Sequence, residues 1–370
     1  MSTLPVRKMP NLGFGNMRMP MKNGEVDTEL IFRMVDTYMA HGYNYFDTAH
    51  TYKGSEDMLR KALVERYPRE SYTITTKVNL GVCSCAEDMR HQFDTSLKRL
   101  GIDYVDIYFI HGLGAMTYEK AEKFKAFDFL RSLRDSGLAR HIGFSFHGTA
   151  DKLDELLTAN PDMELVQLQI NYLDWEDPKV QSRLCYEVAR KHGVPVSVME
   201  PAKGGWLAGN EAEASKMMLE YNPNASVASW AFRFVAGLEG IYAILSGMGN
   251  VEQVEDNVHT FENFTPLTEE ERAITLKAVD MINSVPRVPC TGCRYCTNNC
   301  PQNLPVPLFM NMYNSIVMFN TIEAIRYQYY HFAEPEKRAA NCIGCRTCEE
   351  HCPQGIEITR YIKIVEETLD

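Results

Sequence analysis

The stretch Tyr43-Asn44-Tyr45-Phe46-Asp47-Thr48-Ala49-His50-Thr51-Tyr52-Lys53-Gly54-Ser55-Glu56 decides the fold. Its first five residues read as an apolar strand ending on an acid, a turn then exposes the phenol of Tyr52, and Gly54-Ser55-Glu56 opens a helix. Two later strands end in the same manner. Residues 72–77 close on Lys77 and residues 105–111 close on His111, so an acid, a phenol, an ammonium and an imidazole are carried to one mouth.

Outward from that stretch, short β-rich runs alternate with amphipathic ones, with Gly, Pro or Asp at the joins. Strands are expected at 12–15, 43–47, 72–77, 105–111, 141–145, 165–171, 194–199 and 241–246. Helices are expected at 27–40, 55–67, 86–100, 119–136, 151–159, 178–192 and 225–235, with 251–261 and 268–283 after the last strand. Met89, Phe93, Leu97 and Leu100 share one helical face, and Gly101 ends that helix. Eight strands each followed by a helix specify a parallel sheet that closes, by right-handed crossovers, into a (β/α)8 TIM barrel. A doubly wound open sheet fits less well, because no G-x-G-x-x-G follows the first strand and the reactive residues end several successive strands.

The chain has 370 residues, more than one core usually supports, so a barrel of 1–283 is followed by a second module of 284–370. The join falls where the composition changes to Ser284-Val285-Pro286-Arg287-Val288-Pro289. A net charge of −11 with no basic run excludes nucleic-acid backbone binding. No segment has the apolar length of a membrane span or signal peptide, so a cytoplasmic protein is expected.

Eight of the eleven cysteines fall after residue 289, in two copies of one spacing. The first is Cys290-x2-Cys293-x2-Cys296-x3-Cys300-Pro301 and the second Cys342-x2-Cys345-x2-Cys348-x3-Cys352-Pro353. Three close thiolates of such a run hold one cubane, and the fourth crosses to the other. The expected ligand sets are Cys290, Cys293, Cys296 and Cys352 for one 4Fe-4S cluster, and Cys342, Cys345, Cys348 and Cys300 for the second. A pair of zinc sites is the alternative, although zinc sites usually show two separate C-x-x-C halves. Residues 308–332 read as helical and aromatic-rich, giving a small, mainly α-helical ferredoxin-like module. Cys83, Cys85 and Cys185 read as packing or surface residues.

The run FDTAHTYKGSEDMLRKAL, with Lys77 and His111-Gly112 at later strand ends, resembles the aldo-keto reductase family over residues 9–283. Gly143-Phe144-Ser145, Gln167 within VQLQINYLD, MEPAKGGWLAG and SGMGNVEQVEDN are similar, in order, to that family's cofactor-side segments. The resemblance implies a catalytic tetrad of Asp47, Tyr52, Lys77 and His111, and a nicotinamide cofactor held by Ser145, Gln167, Met199, Gly247, Gln253 and Asn257. Basic residues that would meet a 2′-phosphate are missing at Gly247 and Gln253, while Glu252 and Glu255 lie close by. NAD(H) is therefore slightly favoured over NADP(H).

On this reading, hydride reaches a carbonyl carbon while Tyr52 protonates the oxygen as general acid. Lys77 is expected to lower the phenol pKa, Asp47 to orient the lysine, and His111 to align the substrate oxygen. The expected function is reduction of an aldehyde or ketone, or oxidation of the alcohol, with the clusters serving electron transfer or structure. The partners are a small carbonyl or alcohol and, as a further candidate, a redox protein. The alternative is a relay subunit whose barrel binds a ligand without transferring hydride.

Overall fold

The computed structural model describes Leu4 and residues 11–22 and 25–370. Ten strands are present among the described residues: β1 Leu12–Gly15, β2 Met21–Lys22, β3 Glu25–Val26, β4 Tyr45–Asp47, β5 Thr73–Val78, β6 Val105–Leu113, β7 Ala139–Phe146, β8 Leu165–Gln169, β9 Val196–Met199 and β10 Ile241–Ser246. Eight of them close in the order β1-β10-β9-β8-β7-β6-β5-β4, every neighbour parallel. These are the eight strands expected from the sequence. The antiparallel pair β2–β3 is additional.

Parallel barrel strands are covered on both faces, which is why β5, β6 and β10 are almost continuously buried, in β5 even at its three threonines and Lys77. The barrel interior is packed by Tyr45, Ile107, Phe109, Leu165, Tyr242, Ala243 and Leu245. Each such side chain contributes roughly 1.5–3 kcal/mol on burial. One glycine is dictated by this packing. A Cβ on Gly143 of β7 would stand 1.9 Å from the Leu165 carbonyl oxygen of β8.

Several helices depart from the sequence expectation. The helix after Gly54 is α-helical only over Ser55–Leu59 and continues as a π turn over Arg60–Val64. The run 119–136 divides into Tyr118–Lys123 and Ala126–Asp135 at Lys125, whose φ is 52°. The run 178–192 is helical only over Ser182–Lys191.

The chain forms two compact units, one of Met1–Pro201 with Ser229–Leu267 and one of Ala202–Ala228 with Thr268–Asp370. The first contains all eight barrel strands. The second extends beyond the expected start at 284, for reasons visible in its own packing. Trp206 lies 5.1 Å, centroid to centroid, from Phe319. Helix Glu269–Ser284 joins helix Glu213–Tyr221 through a 3.2 Å hydrogen bond from Tyr221 to Glu270. Its core is built on Val306, Phe309, Met310, Ile325, Ile362 and Val365. The aromatic run 308–332 is two helices, Val306–Phe319 and Ile322–Phe332, divided at Asn320 with φ 50°.

Candidate active site and thiol cavities

The register of the barrel sets Asp47 beside Thr75 and Lys77 beside Phe109, so the ends of β4, β5 and β6 rise together. Lys77 is fully buried and Asp47 is 3% exposed. The Lys77 ammonium donates to Asp47 Oδ1 at 2.6 Å and to the Thr48 carbonyl at 2.7 Å. From β8, Gln167 donates its amide to Asp47 Oδ2 at 3.1 Å. Both carboxylate oxygens are therefore held, as a buried ion requires. Burial pulls the Lys77 pKa below the ordinary lysine value, and Asp47 opposes that pull.

Tyr52 Oη stands 3.5 Å from His111 Nε2, with the two rings edge to face and their centroids 5.4 Å apart. Lys77 Nζ lies 5.4 Å from the centre of the Tyr52 ring. Burial drives the His111 pKa down to about 3, with Lys77 and His147 adding to the effect. The imidazole is thus neutral at physiological pH. Tyr52 corrects one expectation. Its pKa is raised, by burial first and then by the carboxylates of Asp47 and Glu200, with Arg18 opposing. Lys77 does not lower it here because the ammonium is engaged by Asp47 and the Thr48 carbonyl. The phenol is protonated at physiological pH.

The residues assigned to cofactor binding occupy several environments. Ser145 is buried and accepts a 2.7 Å hydrogen bond from the Gly112 amide, beside His111. Met199 is half-buried and packs on the interior aromatic cluster. Gly247 is exposed, and a Cβ there would meet nothing within 4 Å. Gln253 accepts from the Gly249 amide at 2.7 Å, and Asn257 is buried against Ser246 Oγ at 2.7 Å. The loop 247–250 leads into helix Val251–Glu262, capped by Asn250, with Glu252 in its first turn. Free backbone donors at such an end suit a pyrophosphate, whereas Glu252 disfavours an added phosphate.

Several residues at the mouth escaped the sequence reading. Asn16 donates to the carbonyls of Phe14 and Asp47 at 2.9 and 3.1 Å, and Ser55 donates to the Asn16 carbonyl at 2.8 Å. Glu56 is buried and accepts from Thr76 at 2.8 Å and from Arg99 at 3.3 Å. Lys120 donates to three successive-turn carbonyls, of Leu80, Gly81 and Cys83, and so fixes the loop after β5. Arg18 pairs with Glu200 at 3.4 Å. The Ser and Glu of Gly54-Ser55-Glu56 were visible as letters, but not as the clamp that holds the Tyr52 turn.

In the second unit the thiols surround two small cavities. Cys290, Cys293, Cys296 and Cys352 line one, and Cys300, Cys342, Cys345 and Cys348 line the other. In each, the fourth thiol comes from the other repeat. Val306 lines both. Among the described residues no three His, Cys, Asp or Glu converge as ligands of a single ion. Four thiols spread around a cavity suit a cubane, which needs room between its ligands.

Comparison with known proteins agrees with this geometry. The family model "Aldo/keto reductase family" matches residues 11–280, and "4Fe-4S dicluster domain" matches residues 289–357. An aldo-keto reductase of Strobilurus tenacellus is 29% identical over 56% of this chain and 63% of its own length. The NADH-specific methylglyoxal reductase of Escherichia coli is 26% identical over 65% of this chain and 85% of its own. A Klebsiella pneumoniae aldo-keto reductase solved with NADPH superimposes with a TM-score of 0.59 at 20% identity, covering 75% of this chain and 95% of that one. Among the described residues no helix is long and apolar enough to cross a membrane.

Proposed function

The chain belongs to the aldo/keto reductase family and carries a 4Fe-4S domain, and from that premise we propose that it reduces an aldehyde or ketone, or oxidises the alcohol, with Tyr52 as the proton donor. The observation that carries this reading is the convergence of Tyr52, His111, Lys77 and Asp47 at one end of the barrel. A reduced nicotinamide, when bound, supplies the hydride. Neutral His111 holds the substrate oxygen against Tyr52, whose protonated phenol meets the negative charge growing on that oxygen. Asp47 and Gln167 fix Lys77 so that its charge is in place before reaction. The carboxylates of Glu252 and Glu255 beside the 247–250 loop support NAD(H) over NADP(H), as does the relative named NADH-specific.

In the same reading the eight thiols hold two 4Fe-4S clusters, with Cys352 and Cys300 exchanged between repeats. No disulfide joins any of the described cysteines, which suits a reducing, cytoplasmic compartment. The test is Tyr52→Phe, assayed anaerobically against small aldehydes with NADH and NADPH. Turnover is expected to fall by about 10²–10⁴ with the fold intact. Near-normal turnover removes Tyr52 from the role, and no binding of either nicotinamide at millimolar concentration favours the relay subunit instead.

A further inference from the structure

The two cysteine repeats place an arginine at the same point. Arg294 follows Cys293 and Arg346 follows Cys345, both in left-handed backbone with φ of 66° and 60°. Each lines its own thiol cavity, and among the described residues lining either cavity it is the charged one. The repeats then diverge. Between the third and fourth cysteines the first has the neutral Thr297-Asn298-Asn299, and the second has Glu349-Glu350-His351.

That divergence changes what each arginine contributes. Glu349 Oε2 stands 3.9 Å from Arg346 Nε, and its other oxygen accepts from the amide of Thr359, which lines the same cavity. Among the described residues Arg294 has no acidic partner. Two further charges lie near. Lys337 donates at 3.3 Å to the carbonyl of Gln302, a residue of the second cavity. Glu357 lies between two residues of the first cavity, and Arg360 neutralises it at 3.2 Å. The first cavity is left with one unbalanced positive charge, whereas at the second the charges of Arg346 and Lys337 are matched in number by Glu349 and the adjoining Glu350.

We propose that the two clusters are electrically unequal, with the one in the Cys290, Cys293, Cys296 and Cys352 cavity the easier to reduce, so that an electron entering either cluster comes to rest there. Reduction adds one negative charge to a cubane, and an unbalanced guanidinium at its edge stabilises that charge. In the transfer, the reduced cluster of the Cys342 cavity loses one electron and the oxidised cluster of the Cys290 cavity gains it. No bond or proton moves. Val306, common to both walls, leaves the two cavities adjacent. The inference rests on the two-cluster reading above.

The experiment is an anaerobic titration of the full, iron-loaded protein with dithionite, followed by electron paramagnetic resonance, beside iron and sulfide analysis. Two one-electron steps are expected, separated by at least tenfold in equilibrium constant, about 59 mV for a one-electron couple. Arg294→Asn removes the charge with a residue that tolerates left-handed backbone. It should lower the higher midpoint and leave the lower one in place. Glu349→Gln should raise the lower midpoint alone. Iron well short of eight atoms per chain overturns the two-cluster reading and this inference with it. Eight irons with coincident wild-type midpoints, or an Arg294→Asn shift confined to the lower midpoint, overturns the inference alone.

Discussion

The barrel mouth and the thiol cavities assemble reactive groups by opposite routes. At the mouth, Asp47, Lys77, His111 and Gln167 come from four strands, and protein bonds hold them: the Lys77–Asp47 contact is 2.6 Å and Gln167 reaches across 120 residues. In the cavities, three thiols of each set come from one short repeat and the fourth from the other, and they line a small cavity instead of bonding one another. The mouth is organised by its scaffold before any ligand arrives. The cavities sit on a small core in which Cys296 and Cys348 are themselves buried members, so whatever fills them completes that core.

The largest expected effect tests this contrast directly. Anaerobic chelation of iron, or Cys348→Ser, should abolish one calorimetric transition of the two-unit protein and leave the other within a few degrees. Metal binding in such small modules is folding free energy, about 10 kcal/mol or more in the zinc modules where it is measured. A barrel that melted in step with iron loss would break the comparison.

A smaller loss is expected from Lys77→Met, because it leaves the Asp47 carboxylate buried without its cation. The cost is roughly 3–5 kcal/mol, or about 6–20 °C in the barrel transition. Asp47→Leu combined with Lys77→Met should recover most of it, since no unpaired charge is then buried. Thermal melts of the single and double variants, with iron content unchanged, separate this from any effect on the cavities. A single variant as stable as the parent would show that the pair is not the organising feature of the mouth.

The same contrast governs what could be read from the sequence. The cysteine repeats are local, so spacing alone is enough to group the thiols as they line the two cavities, with Cys300 and Cys352 exchanged between repeats. The barrel strands were legible because apolar runs of β-branched and aromatic residues recur eight times. The antiparallel pair Met21–Lys22 and Glu25–Val26 is too short to stand out as strands in the sequence. The breaks at Lys125 and Asn320 were not legible, since both residues adopt left-handed backbone inside otherwise helical patterns. Nor was the clamp of Asn16, Ser55 and Asp47, whose partners lie 31 to 39 residues apart. The direction of the Tyr52 shift was misjudged for the same reason: a lysine in sequence reach of the phenol is, in space, already satisfied by Asp47 and Thr48.

The smallest expected effect concerns acid, and it distinguishes the two regions by reversibility. His111 stays neutral in the folded barrel down to about pH 3, whereas an unfolded histidine takes its proton near 6.5. Below pH 6.5 the unfolded chain therefore binds more protons, and barrel stability falls as pH drops toward 3. His147 and His50 are also pulled down by burial and add the same sign. Between pH 6.5 and 5, where carboxylates stay ionised, the barrel transition should decline reversibly, and His111→Gln should flatten part of that decline. The cavities respond to the same acid through their thiolates, whose protonation releases metal, so their loss should follow iron and not reverse on neutralisation alone. A His111→Gln barrel that kept the full parental slope from pH 6.5 to 5 would assign the decline to other groups and leave the neutral imidazole at the mouth without its thermodynamic signature.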